Sequence, residues 1–128
     1  MHPKNSAVLV VDDSGTNLLL LQRLLEDEGH EVIALDNARD ALKYLNDHQQ
    51  VDLILLDIMM PEIDGFKFLE QIKQDDQLQS IPVIMVTAKN DHTSHKKALS
   101  LGAVGYMSKP LDLKKLRALI HEQLSRQD

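Results

Sequence analysis

The chain contains two short aliphatic runs, and each of them ends in aspartate. Residues 8–11 lead directly into Asp12 and Asp13, and residues 53–56 lead directly into Asp57. An uninterrupted run of four aliphatic residues is typical of a strand that is buried on both faces of a parallel sheet. Because an acid is costly inside such a strand, each aspartate is expected where its strand leaves the sheet. In open α/β sheets the crevice at these carboxyl ends binds ligands. The sequence therefore predicts an acidic pocket suited to a hard divalent cation.

The composition indicates one globular domain. The chain has 128 residues, 43% hydrophobic and 27% charged, and we expect a single domain over residues 1–128 with its core at about residues 7–124. The formal net charge of −6 disfavours nucleic acid or an anionic membrane surface as the direct partner. No apolar stretch approaches the roughly 20 residues of a membrane span, and no signal peptide is recognisable. The absence of cysteine excludes disulfides and thiolate chemistry and fits a cytoplasmic protein.

Strand-like and helix-like segments alternate along the chain. The predicted strands are residues 7–11, 31–35, 51–56, 81–86 and 104–107, and the predicted helices end near residues 28, 47, 75, 101 and 124. We expect Ser14, Asn37 and Asp112 to cap helices at their starts, and Gly29 and Gly102 to end them. Since crossovers between parallel strands are right-handed, the pattern favours an α/β doubly wound three-layer sandwich around a five-stranded parallel sheet.

Polar side chains follow four of the five predicted strands. Asp12 and Asp13 follow the first strand and Asp57 the third, while Thr87 follows the fourth and Lys109 the fifth. These groups meet only if strands one, three, four and five are neighbours. The flavodoxin-like strand order 2-1-3-4-5 provides that adjacency. The second strand, which is the most polar, then lies at the edge of the sheet.

Three carboxylates in one pocket repel one another and need positive charge nearby. Mg²⁺ takes oxygen ligands, uses one or two carboxylates and leaves room for water and a phosphate oxygen. Lys109 adds a second positive charge, and Thr87 adds a hydroxyl donor. A single aspartate at a strand end is most often a turn former or a helix cap, but the joint occurrence at four strand ends favours a functional site. The pattern predicts a site that handles a phosphoryl group by positioning and charge stabilisation.

The chain contains a series of short motifs at its strand ends and loops, which are Val10-Val11-Asp12-Asp13, Leu55-Leu56-Asp57-Ile58-Met59-Met60-Pro61, Asp64-Gly65, Val86-Thr87-Ala88, Gly102-Ala103, Tyr106 and Lys109-Pro110. Through these motifs the chain closely resembles, from Ala7 to about Leu124, the receiver domains of two-component response regulators. The spacing between these blocks is similar to that of the single-domain chemotaxis regulators. One block alone is a weak signal, whereas all of them in this order are a specific one.

The resemblance implies which residue accepts the phosphoryl group and which residues hold the metal. Asp57 would be the nucleophile that forms an aspartyl phosphate. Asp13 and Asp57 would bind Mg²⁺ directly, together with the backbone carbonyl of Met59, and Asp12 would act mainly through a bound water. Mn²⁺ is the alternative ion.

The resemblance also implies a switch. Lys109 would pair with one phosphoryl oxygen, and Thr87 would move to donate a hydrogen bond to another. Tyr106 would then change rotamer, which would alter the surface formed by the fourth helix, the fifth strand and the fifth helix. The bond between Lys109 and Pro110 would be cis, a form found in about 5–6% of such bonds.

The implied partners are a sensor histidine kinase or a histidine phosphotransfer protein upstream, and a target protein or a fused output domain downstream. A homodimer that depends on phosphorylation is a further expectation. Such a domain is a signalling module rather than an enzyme, since it catalyses only its own phosphorylation and dephosphorylation.

Two other functions use the same fold. A phosphohydrolase with an aspartyl-phosphate intermediate usually has a second acid two residues after its nucleophile, where this chain has Met59. A flavodoxin is disfavoured because residues 12–17, where a flavin phosphate would lie, begin with two acids.

His92 and His95 share one helix face and could bind a metal. Without a third ligand nearby, we interpret that face as a solvated surface.

Overall fold

The computed structural model describes residues 6–48, 50–60, 63–88 and 91–125. These ranges form β1 (Ala7–Val11), α1 (Gly15–Asp27), β2 (Glu31–Leu35), α2 (Ala38–Asp47), β3 (Leu53–Leu56), α3 (Gly65–Gln74), β4 (Val83–Thr87), α4 (His92–Ser100), β5 (Gly105–Ser108) and α5 (Leu113–Ser125). All strand pairs are parallel, and the strand order is β2-β1-β3-β4-β5. The predicted fold and strand order are confirmed. Pro61 of the sequence motif lies outside the described residues.

The strands separate two hydrophobic layers, because successive side chains of a strand point to opposite faces of the sheet. On one face, Val8 and Val10 of β1 pack in a cluster with buried side chains of α1 and α5. On the other face, Leu9 and Val11 pack in a cluster with buried side chains of α2, α3 and α4. The sheet is therefore covered on both sides, which explains why β1 and β3 are aliphatic without alternation.

The helix ends follow the predicted capping residues. Side-chain oxygens of Ser14, Asn37 and Asp112 each accept a hydrogen bond from the backbone N–H three residues later, at 3.3, 2.8 and 3.2 Å. Gly29 follows the end of α1 with φ of 90°, and Gly102 follows the end of α4 with φ of 109°. Both values lie in the left-handed region, where a side chain is strained. The caps and the glycine ends are confirmed.

The predicted bounds of three strands were wrong by one or two residues. β3 begins at residue 53 rather than 51, β4 covers residues 83–87 rather than 81–86, and β5 covers 105–108 rather than 104–107. Pro82 explains the start of β4: it has no N–H, and its carbonyl accepts a hydrogen bond from Ile54 N at 3.0 Å just before regular pairing begins at Val83. The shift makes Thr87 the last residue of β4, in register with Ser108.

None of the helices formed by the described ranges combines the length and the apolar composition needed to span a bilayer.

Candidate functional site

The three predicted acids meet at the carboxyl edge of the sheet. Asp12 follows β1 and donates its backbone N–H to Leu35 O at 3.2 Å, and Asp57 follows β3 and donates its own to Val11 O at 3.0 Å. The side chains of Asp12 and Asp57 are buried, whereas Asp13 is exposed. One carboxylate oxygen from each acid lies within 4.8 Å of the others. The β1–β3 pairing thus brings together side chains that are more than 40 residues apart in the sequence.

Lys109 supplies the positive charge of the cluster. Its backbone N–H donates to Thr87 O at 2.8 Å, which ties the loop after β5 to the end of β4. Its Nζ lies 2.8 Å from Asp12 Oδ2 and 3.3 Å from Asp57 Oδ2. The peptide bond between Lys109 and Pro110 is cis, as the resemblance implies. One ammonium therefore bridges the two buried carboxylates.

The second oxygen of each buried carboxylate accepts a backbone hydrogen bond. Asp12 Oδ1 accepts from Ser14 N at 2.9 Å, and Asp57 Oδ1 accepts from Met59 N at 3.1 Å. These bonds fix both carboxylates with one oxygen toward the protein and the other toward Lys109. The side chain of Met59 is 57% exposed at the rim of the site.

The pKa values of Asp12 and Lys109 are both raised, but for different reasons. Burial raises the pKa of Asp12 above its ordinary value of 3.8 and the charge of Asp57 adds to this, while the hydrogen bonds from Lys109 and Ser14 only partly offset it. Burial alone would lower the pKa of Lys109. The hydrogen bond and charge of Asp12, together with the charge of Asp57, outweigh burial and raise that pKa above 10.5. Lys109 is therefore a cation throughout the neutral range.

Gly65 packs against the backbone of Asp57 and Ile58. Its N–H donates to Ile58 O at 2.8 Å, and Asp64 caps α3 by accepting from Lys67 N at 2.9 Å. A Cβ on Gly65 would overlap the carbonyl oxygen of Asp57 and would lie 2.6 Å from Cα of Ile58. Only glycine allows α3 to begin this close to the segment that carries Asp57. Sequence reasoning included Asp64 and Gly65 only as part of a motif, and it did not find this contact.

The two predicted switch residues lie on neighbouring strands. Thr87 is fully buried at the end of β4, and Tyr106 of β5 pairs with Met85 of β4. The Tyr106 ring is half-buried and stacks on the ring of His95 in α4, with centroids 4.8 Å apart and planes at 10°. Burial raises the pKa of the Tyr106 phenol, and the negative charges of Asp91, just before α4, and of Asp57 raise it further. Tyr106 thus connects β5 with α4.

The histidine stack was missed by sequence reasoning. His92 and His95 are exposed, as predicted for a solvated face, but His95 also holds the Tyr106 ring. The only sequence signal was that His95 lies one turn into the helix that follows β4.

Asp12, Asp13 and Asp57 form the metal-binding group found among the residues that the structure describes, since their ligand atoms lie close together.

The donor set of this group fits a hard cation. It consists of carboxylate oxygens, which Mg²⁺ prefers, and it contains no nitrogen or sulfur ligand that would favour a softer metal. Asp13 is exposed and so leaves the cluster open to solvent, which suits an ion that keeps several of its waters. That the backbone carbonyl of Met59 also binds the ion stays a prediction.

Comparison with known proteins shows the family. Residues 8–121 match the response regulator receiver domain. The chain belongs to this family, and it is a receiver domain of two-component signalling.

The relatives differ in how much of their own length this chain covers. The chain is 36% identical over 118 residues to protein PilH of Pseudomonas aeruginosa, covering 92% of this chain and 97% of PilH. It is 36% identical over 124 residues to the alkaline phosphatase synthesis transcriptional regulatory protein PhoP of Bacillus subtilis, covering 97% of this chain but 50% of PhoP. A two-component response regulator from Clostridium difficile has a similar structure, with a TM-score of 0.89 at 27% identity, covering 96% of this chain and 98% of that chain.

Proposed function

We propose that Asp57 is the phospho-acceptor of a signalling switch that a phosphohistidine donor activates. The observation that carries the proposal is the pairing of buried Asp57 with Lys109 inside an acidic cluster, in a chain that belongs to the receiver domains. Acids and one lysine around a single carboxylate suit transfer of a phosphoryl group, which depends on positioning and charge stabilisation.

In the proposed reaction a carboxylate oxygen of Asp57 attacks the phosphorus atom of a phosphohistidine. The new P–O bond forms as the P–N bond breaks, and the leaving imidazole takes up a proton from solvent. Lys109 lies 3.3 Å from the attacking carboxylate and stabilises charge on a phosphoryl oxygen. The hydroxyl of Thr87 donates to a second oxygen once β4 and its loop adjust.

Asp12, Asp13, Asp57 and the backbone carbonyl of Met59 would hold Mg²⁺, or Mn²⁺ in its place, which supplies positive charge beside the transferred group when bound. Lys109 neutralises part of the charge of the acids through its contacts with Asp12 and Asp57. Asp12 contributes by keeping Lys109 in place through its 2.8 Å ion pair.

The donor would be a sensor histidine kinase or a histidine phosphotransfer protein in the cytoplasm. The output would follow from Thr87 and Tyr106, which change the surface of α4, β5 and α5 and so control a target protein, a fused output domain or a homodimer. Residues 1–128 would act as one receiver domain in either case. A phosphohydrolase is not favoured, because the position two residues after Asp57 presents the exposed thioether of Met59 rather than an acid.

The proposal is tested by the intact mass of the protein after incubation with acetyl phosphate and MgCl₂. Wild type should gain the mass of one phosphoryl group, and EDTA should prevent the gain. Asp57→Asn should abolish it, whereas the matched control Asp76→Asn, which changes an exposed acid in the turn after α3, should not. A wild-type protein that gains no phosphoryl group, or an Asp57→Asn variant that gains one, would contradict the proposal.

A further inference from the structure

A cavity that is open to solvent lies between the end of α1 and the outer face of α5. Its volume is about 550 Å³, and it is lined by Glu28, His30, Lys114, Arg117, Ala118 and His121. His30 precedes β2, whose first residue pairs with the first residue of β1, so this part of the cavity lies at the amino edge of the sheet. None of the lining residues belongs to the acidic cluster at the opposite, carboxyl edge. The proposed phosphorylation does not use this cavity.

The cavity concentrates positive charge on an acidic protein. Lys114, Arg117 and His121 follow the i, i+3, i+7 spacing that places side chains on one face of a helix, and His30 approaches from the other wall. Lys114 and Arg117 bring two basic side chains to the cavity against the single carboxylate of Glu28. The whole chain has a formal net charge of −6. A positive cavity on such a background indicates an anionic ligand.

The ion pair of Arg117 prepares the cavity for an anion. Arg117 Nε forms an ion pair with Glu28 Oε2 at 2.8 Å, and the two side chains are 50% and 31% exposed. This contact neutralises Glu28 and uses one edge of the guanidinium, so the terminal nitrogens keep donors for a ligand. Arginine and lysine together are the usual partners of phosphate groups, arginine through its planar fork and lysine as a point charge.

The side chains do not favour a metal ion here. In the described part of the chain, the histidine and acidic side chains whose ligand atoms converge are those of the acidic cluster, Asp12, Asp13 and Asp57. The cavity contributes no residue to that cluster. Lys114 and Arg117 would repel a cation. The volume of about 550 Å³ exceeds that of a phosphate ion and falls in the range of roughly 300–1,000 Å³ that is typical of small-molecule sites.

We propose that this cavity binds a small organic phosphate, with the phosphate held by Lys114, Arg117 and the two histidines and the organic part lying along Ala118. The ligand would give this receiver domain a second input that is independent of Asp57. A free phosphate ion shares the same chemistry but fills less of the cavity, so it should bind more weakly.

The test is a titration of the ¹⁵N-labelled 128-residue chain followed by amide chemical shifts, in EDTA so that the acidic cluster holds no divalent ion. The probes are glucose 6-phosphate, adenosine monophosphate and inorganic phosphate. At least one organic phosphate should saturate shift changes at residues 28–30 and 114–121, and inorganic phosphate should bind there more weakly.

Two matched variants decide the location. Lys114→Gln should weaken binding of the organic phosphate about tenfold. Lys115→Gln changes the same charge one residue further along α5, on a side chain that lines a different groove beside Tyr106, and should leave binding unchanged. Both lysines are exposed, so neither change should prevent folding. Absence of shift changes at the cavity with every probe, shift changes confined to residues near Asp57, or equal weakening in the two variants would overturn the proposal. None of these results bears on phosphorylation of Asp57.

Discussion

Replacement of Lys109 by methionine tests how the buried acids are tolerated. The substitution keeps most of the apolar stem and removes the ammonium that lies 2.8 Å from Asp12 and 3.3 Å from Asp57. The carboxylate side chains are 2% and 5% exposed, so water does not replace the lost charge. Both acids would then repel each other without a compensating cation. We expect a large loss of stability in the absence of divalent ions.

Two estimates give the size of this loss in the free energy of unfolding. Removal of one partner from a buried ion pair usually costs about 3–5 kcal/mol. A stranded carboxylate can instead take up a proton, and at neutral pH this costs about 4 kcal/mol, because roughly three pKa units are worth about 1.36 kcal/mol each. The hydrogen bonds from Ser14 N and Met59 N remain and moderate the loss. We therefore expect the free energy of unfolding to fall by about 3 kcal/mol.

The assay is urea unfolding followed by far-ultraviolet circular dichroism in EDTA. For an m-value of about 2 kcal/mol/M, the midpoint of Lys109→Met should fall by about 1.5 M. The matched control is Lys67→Met, an exposed lysine of α3, which should stay within about 0.5 kcal/mol of wild type. The double variant with Asp12→Asn should recover part of the loss, since one of the two stranded charges is gone. Equal midpoints for Lys109→Met and Lys67→Met would refute the reasoning.

Three further predictions concern the surroundings of the site. Gly65→Ala should lower the free energy of unfolding by about 1–3 kcal/mol and slow phosphorylation of Asp57, because the new Cβ meets backbone that must shift; unchanged urea unfolding would contradict the contact. His95→Ala should cost about 0.5–1.5 kcal/mol and reduce the near-ultraviolet circular dichroism of Tyr106, since the ring stack is lost; an unchanged tyrosine spectrum would refute the stack. Burial raises the pKa of Asp12, so the unfolded chain loses this proton first as the pH rises. The stability that protonated Asp12 provides is fully present below pH 3.8 and should be lost as the pH rises through the raised pKa of the folded state. Asp12→Asn should therefore show a smaller fall in the free energy of unfolding by urea over this pH range in EDTA; equal pH slopes for the variant and wild type would argue against it.

The fold could be predicted because hydrophobic burial imposes its period on the sequence. β1 and β2 have the predicted bounds, since each run is delimited by polar residues. The errors at the starts of β3, β4 and β5 arose where an aliphatic residue, Val51, Ile81 or Val104, lies one or two residues before a strand without belonging to it. The errors at the ends of β4 and β5 arose because the polar residues Thr87 and Ser108 belong to their strands. Burial of Val51 and Ile81 satisfies the same hydrophobic pattern whether or not their backbone joins the ladder. Pattern alone therefore cannot locate the first hydrogen bond of a strand.

The acids and the lysine of the site could be predicted because parallel strands bring their carboxyl ends to one edge. Two other contacts could not. The stack of His95 on Tyr106 depends on how far α4 lies from β5, and the approach of Gly65 to Asp57 depends on the entry of the chain into α3. Neither distance leaves a periodic signal in the sequence. The same is true of the Arg117–Glu28 pair, which joins two helices from opposite ends of the chain.

The central claim is that the carboxylate of residue 57 carries the phosphoryl group, and its most direct test is chemical mapping of the modified residue. The protein is phosphorylated with acetyl phosphate and MgCl₂, treated at once with borohydride, digested and sequenced by mass spectrometry. Borohydride reduces an acyl phosphate to a primary alcohol, so residue 57 should read as homoserine while Asp12 and Asp13 read as aspartate. Homoserine at either of those two acids, or at no aspartate of a protein that has gained a phosphoryl group, would contradict the account.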